Sequence, residues 1–107
     1  MASNSFRNIS SEWHHDELHR RDVLVISLEH VHDRLVSFAR FNRYESIESC
    51  LDEICRLSSP YVLSTAYFGD SRLLQVRFGL GQKRFDQDEA CLHADDVKQA
   101  LIELLSP

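Results

Sequence analysis

The chain has 107 residues, 43% of them hydrophobic and 27% charged, with a formal net charge of −5. That length predicts one domain able to bury roughly 65% of its unfolded surface, and no window approaches the ~18 apolar residues of a membrane span. Residues 1–43 balance six Arg against six Asp/Glu, whereas residues 44–107 set six Lys/Arg against eleven Asp/Glu. An acidic half argues against nucleic acid as the main partner, because neutralising phosphates needs Lys and Arg.

Residues 1–10 are small and polar, with no apolar core of a secretory signal. They are expected to form a flexible tail ahead of a single α+β domain over residues 11–107. Residues 11–21 open on Ser11 and Glu12, a helix-start pattern, and only Trp13 and Leu18 are apolar, so a short, loosely attached helix is predicted. Residues 22–28 form a continuous apolar run of strand length without alternation. Such runs belong to interior strands covered on both faces.

Over residues 29–41, Val31, Leu35, Phe38 and Ala39 recur at i, i+4, i+7 and i+8, the spacing of an amphipathic helix. The stripe restarts out of phase at Ile47, Cys50, Leu51, Ile54 and Cys55, which predicts a second helix after a break. Asn42 is its expected N-cap, with Glu45 completing a capping box. Glu45, Glu48, Asp52 and Glu53 give this helix an acidic outer face, and residues 58–60 end it at a proline.

Residues 61–78 place two β-rich runs around Gly69-Asp70 and read as a hairpin with a two-residue turn, glycine supplying a positive φ. That turn pairs Phe68 with Ser71 and sets Tyr61, Leu63, Thr65, Tyr67, Leu74, Val76 and Phe78 on the core side. The other face carries Val62, Ser64, Ala66, Phe68, Leu73, Gln75 and Arg77, too apolar for free solvent and too mixed for a dry core. Cover could come from the Trp13 helix or from another subunit. Gly79 and Gly81 mark a turn, residues 82–86 suggest a short edge strand, and residues 90–93 fit no element. The last helix is predicted over residues 94–105, its stripe formed by Val97, Ala100, Leu101, Leu104 and Leu105. The sum is a small mixed or antiparallel sheet of three to four strands, with central strand 22–28 and hairpin 61–78, and three to four helices mainly on one face.

Chemistry is sparse. Five of the six histidines lie between residues 14 and 32. On a helix His15 and His19 share a face, with Glu12 as a conceivable third ligand, but the carboxylates Asp16 and Glu17 do not make a metalloprotease motif. Solvated polar histidines are the plainer reading, and neither a metal nor another cofactor is expected. The odd cysteine count, without a CxxC, predicts reduced thiols, with Cys50 and Cys55 as small core residues. Cys91 and His93 are close enough in sequence to suggest a thiol beside a base, but nothing supplies an oxyanion hole, so no catalytic residue is assigned.

These features together predict a small, acidic, cytoplasmic, non-catalytic protein that binds another protein as an inhibitor, immunity protein or adaptor, its acidity being compatible with a basic partner. Glu45, Glu48, Asp52 and Glu53 are the expected partner surface. Val62, Ala66, Phe68 and Leu73 are the expected homodimer interface. Two rival readings remain: a histidine-dependent metal-binding protein or small enzyme, and a nucleic-acid-binding module built on Arg34, Arg40, Arg43, Phe41 and Tyr44.

Overall fold

A computed structural model describes residues 6–30, 34–79 and 87–105. Four strands and three helices follow in the order β1 (Phe6–Asp16), β2 (Arg21–His30), α1 (Arg34–Phe41), α2 (Ile47–Ser58), β3 (Val62–Phe68), β4 (Leu73–Phe78) and α3 (Gln87–Leu105). The sheet is wholly antiparallel with strand order β1-β2-β4-β3, so two hairpins meet along the β2–β4 ladder. Among the described residues no helix is long and apolar enough to cross a membrane.

The uninterrupted apolar run is the central strand. Leu24, Ile26 and Leu28 pair with Phe78, Val76 and Leu74. All six side chains are essentially inaccessible and join one cluster with Leu35, Leu51, Ile54, Val97 and Leu101 of the helices. Val23 and Val25 point to the opposite face. They are buried yet lie outside that cluster. The helical layer therefore covers one side of the sheet, and no described element covers the other.

The predicted helix over residues 11–21 is a strand instead. β1 begins at Phe6, inside the stretch expected to be a tail, and pairs with β2 from Phe6↔His30 to Asp16↔Arg21. Its polar residues give no strand alternation, and pairing to the apolar β2 ladder decides its conformation. The turn at residues 17–20 starts from Asp16, whose carboxylate accepts the His19 backbone N–H at 3.3 Å, a local bond that suits Asp to turn entry.

β2 runs on to His30, which shortens the first helix to Arg34–Phe41. Asn42 does not start α2; it closes α1. Tyr44 N donates to Ala39 O at 3.0 Å and Arg43 N to Arg40 O at 3.1 Å, a Schellman cap with Arg43 at φ 59°. Ser46 is the actual N-cap of α2. Its hydroxyl accepts from Ser49 N at 3.0 Å, and Ser49 Oγ accepts from Ser46 N at 3.3 Å.

The β3–β4 turn is also longer than predicted. Phe68 pairs with Leu73, not Ser71, around a four-residue loop, and the positive φ falls on Arg72 at 52°. A two-residue shift preserves parity, so Thr65, Tyr67, Leu74, Val76 and Phe78 keep the core side. A bulge between Val62 and Ser64 then breaks that parity. Val62 turns inward, 3% exposed, opposite Phe78. This corrects its assignment to a dimer interface. Leu63, expected in the core, is displaced toward the open face and lies over Gly79, where a Cβ would meet its Cδ1 at 2.7 Å. Arg56 closes the bulge from α2, donating to Val62 O at 3.0 Å and Leu63 O at 3.2 Å. These bonds occupy carbonyls that an edge strand would otherwise offer to another chain.

α3 starts seven residues earlier than predicted and takes in residues 90–93. Ala90, Ala94, Val97, Leu101 and Leu105 form its buried stripe, while Leu104 remains 47% exposed. The edge strand expected over residues 82–86 lies outside the described residues.

Candidate functional site

Three of the four residues expected at a subunit interface do share the open face. Ala66 pairs with Gln75, and Phe68 with Leu73, whose other neighbour is Glu29 of β2. Phe68 is 49% exposed, and Ala66 and Leu73 are half-buried. Ser27 and Gln75 continue the patch, joined by a Gln75 Nε2 to Ser27 Oγ hydrogen bond of 3.3 Å. The Trp13 segment does not cover it, because Trp13 faces the core side opposite Leu24 as part of the sheet itself.

The acidic set divides in two. Glu45 and Glu48 project into solvent before and within the first turn of α2, where a negative charge complements the helix dipole. Asp52 accepts from Arg56 Nε at 2.7 Å and from the Thr65 hydroxyl at 3.4 Å, and Glu53 accepts from the Tyr44 phenol. That phenol hydrogen bond raises the Tyr44 pKa to about 12. Asp52 and Glu53 are thus engaged by side chains of the fold itself, whereas Glu45 and Glu48 face solvent.

The histidines converge on carboxylates. His14 sits 3.3 Å from Glu12, His15 3.1 Å from Asp22 and His19 2.8 Å from Asp16. Asp16 also meets Arg21 at 3.6 Å, and the His19 hydrogen bond holds its carboxyl below the ordinary value. With residues 11–16 extended, the helical spacing that would join His15, His19 and Glu12 is gone. Among the described residues no group of three or more His, Cys, Asp or Glu side chains is placed to hold a metal ion. His30 is buried and stacks on Phe6 with ring centroids 4.7 Å apart, and His32 lies outside the described residues.

Arg34, Arg40, Phe41 and Arg43 all reach solvent, Phe41 being 87% exposed, but Tyr44 turns away to Glu53. Cys91 and His93 both lie on α3, where a two-residue spacing points side chains to nearly opposite sides. Cys91 faces solvent, while His93 meets Tyr61 edge-on at 4.4 Å. Burial raises the Cys50 thiol to about 11 and the Cys55 thiol to about 12, which keeps both protonated and unreactive.

Sequence reasoning missed a Ser59, His93 and Glu89 arrangement. Ser59 Oγ lies 3.3 Å from His93 Nδ1 and accepts from Tyr61 N at 3.1 Å, while His93 Nε2 is 3.9 Å from Glu89. Glu89's charge, with a hydrogen bond, raises the Tyr61 pKa. The Ser59 side chain is buried, at 1% exposure, and no substrate atom can reach its hydroxyl. The group ties the start of α3 to the α2–β3 connection. Its partners are 34 residues apart, and no local pattern links them.

Comparisons with protein-family models, with curated proteins and with solved structures returned no match.

Proposed function

We propose that the protein is a non-catalytic binding protein of the inhibitor, immunity or adaptor type, which dimerises through its open sheet face and meets a basic protein partner through α2. The observation that carries this reading is the one-sided sheet, with Phe68 half-exposed beside Ala66 and Leu73 and no described element over them. Ser27 and Gln75, next to that patch, are neutral, whereas Glu29 stands directly beside Leu73, so a second copy has to leave that carboxylate at the solvated rim of the contact. Burying such surface stabilises association by roughly 25 cal/mol per Å² of apolar area, less the cost of lost freedom. Glu45 and Glu48 act differently: exposed charge mainly raises association rate and selects partners of opposite sign.

Sedimentation equilibrium tests the dimer. The wild type is expected to be dimeric at high micromolar concentration, and Phe68→Asp, with an unchanged circular dichroism spectrum, to be monomeric. A monomeric wild type would end the dimer reading. For the partner, immobilised wild type and a Glu45→Lys/Glu48→Lys variant are compared on a host lysate. Proteins held by the wild type should be released by the double variant, most at low salt where screening is least.

A further inference from the structure

At the far end of the open face from Phe68, the structure holds a cleft of about 500 Å³. Val23, Val25 and Leu63 form an apolar floor, Arg77 and Ser64 one wall, and the His14, His19 and Arg21 side chains the other, around the β1–β2 turn. The bulge that turns Val62 inward is what delivers Leu63 here. Arg77 stands opposite Val25 in the ladder and is exposed. It has no carboxylate partner among the described residues. Asp16 is the carboxylate that lines the cleft, and it is already engaged by His19 at 2.8 Å and Arg21 at 3.6 Å. What remains for a ligand is a guanidinium fork beside imidazoles, above aliphatic carbon.

We infer that this cleft binds a small organic anion, a phosphate monoester or carboxylate joined to a short apolar group. The anion accepts from the Arg77 fork, which matches two oxygens at once, and the apolar group lies on Val23, Val25 and Leu63. His14 and His19 lie within the same walls, each with one ring nitrogen facing a carboxylate, Glu12 and Asp16 respectively. The inference is independent of the dimer, because Arg77 and Leu73 are four residues apart on one strand, about 13 Å.

The test is a backbone amide NMR titration of the intact protein with phenyl phosphate, benzoate, inorganic phosphate and benzyl alcohol. Saturable shifts at Val23, Val25, Leu63 and Arg77 are expected with phenyl phosphate or benzoate at up to millimolar concentrations, and the tighter of the two names the anion. Inorganic phosphate should bind more weakly and benzyl alcohol not detectably. Arg77→Gln is expected to weaken binding about tenfold or more, as for a lost charged hydrogen bond. Arg77→Lys should restore part of the loss, and Phe68→Asp should bind like wild type. No saturable shift with either aromatic anion, equal binding of benzyl alcohol, or unchanged affinity in Arg77→Gln would overturn the inference.

Discussion

A single hydrogen bond ties Tyr44, in the connection after α1, to Glu53 of α2. The phenol donates to the carboxylate, and its pKa rises from 10.0 to about 12. A raised folded-state value means that folding favours the protonated phenol. The resulting stability is whole below pH 10 and is lost as the pH climbs toward about 12. Chemical denaturation across that interval should show a steeper loss for the wild type than for Tyr44→Phe, which has no phenol proton to lose. Parallel slopes would mean that Glu53 does not hold the phenol in solution. Residues of this kind were partly legible in the chain. Glu53 was visible as acidic and surface-facing, but its use by Tyr44 depends on the Schellman turn that brings residue 44 back over α2.

At the level of elements, what could be read was whatever burial imposes on the pattern. Residues 23–26 are apolar at every position because all four side chains are buried on the two faces of β2, whereas Asp22 is exposed and Ser27 only half-buried. β1 carries no such demand. As an edge strand it exposes Ser11, Glu12, His14 and His15, and its partner supplies the order. Hairpin parity survived a wrong turn length because both loops differ by an even number of residues, whereas the bulge at Leu63 had no signature short of Gly79.

The two hairpin loops turn out alike. Each has four residues and ends on an arginine with positive φ, Arg20 at 51° and Arg72 at 52°, and Arg43 at 59° plays the same part after α1. A side chain in this region costs roughly 1–2 kcal/mol that glycine avoids, against glycine's larger loss of freedom of about 0.5–1 kcal/mol. Arg43→Gly is therefore expected to stabilise the protein by up to about 1 kcal/mol, read from the urea midpoint at constant slope. A lower midpoint would show that the Arg43 side chain makes contacts worth more than the strain.

For the molecule as a whole, the three helices and the sheet make two layers among the described residues; the apolar patch and the cleft lie on the sheet's second face, while Glu45 and Glu48 stand at the start of α2 in the helical layer. Phe68 occupies one end and the Arg77 cleft the other, an arrangement no linear pattern announces because it joins β1, β2, β3 and β4. The charge imbalance was visible from composition, yet half of the acidic set proved to be internal bonding. Composition counts charges; only the fold says which are already answered.

The β2–β4 ladder has a consequence for how the chain finds this arrangement. Each hairpin closes a loop of four residues, but the ladder joins Glu29 to Leu73 across roughly 44, and the logarithmic cost of closure makes that step about 2 kcal/mol more demanding. The hairpins and helices are near-neighbour structures that form early, and the meeting of β2 with β4 sets the rate. Val76→Ala, in that seam, should slow refolding in a chevron experiment, while Trp13→Ala on the outer strand should mainly speed unfolding. The reverse pattern would place the bottleneck in the first hairpin. On this account the long α1–α2 crossover, which shapes the binding face by keeping the helices to one side, is also the clock of folding.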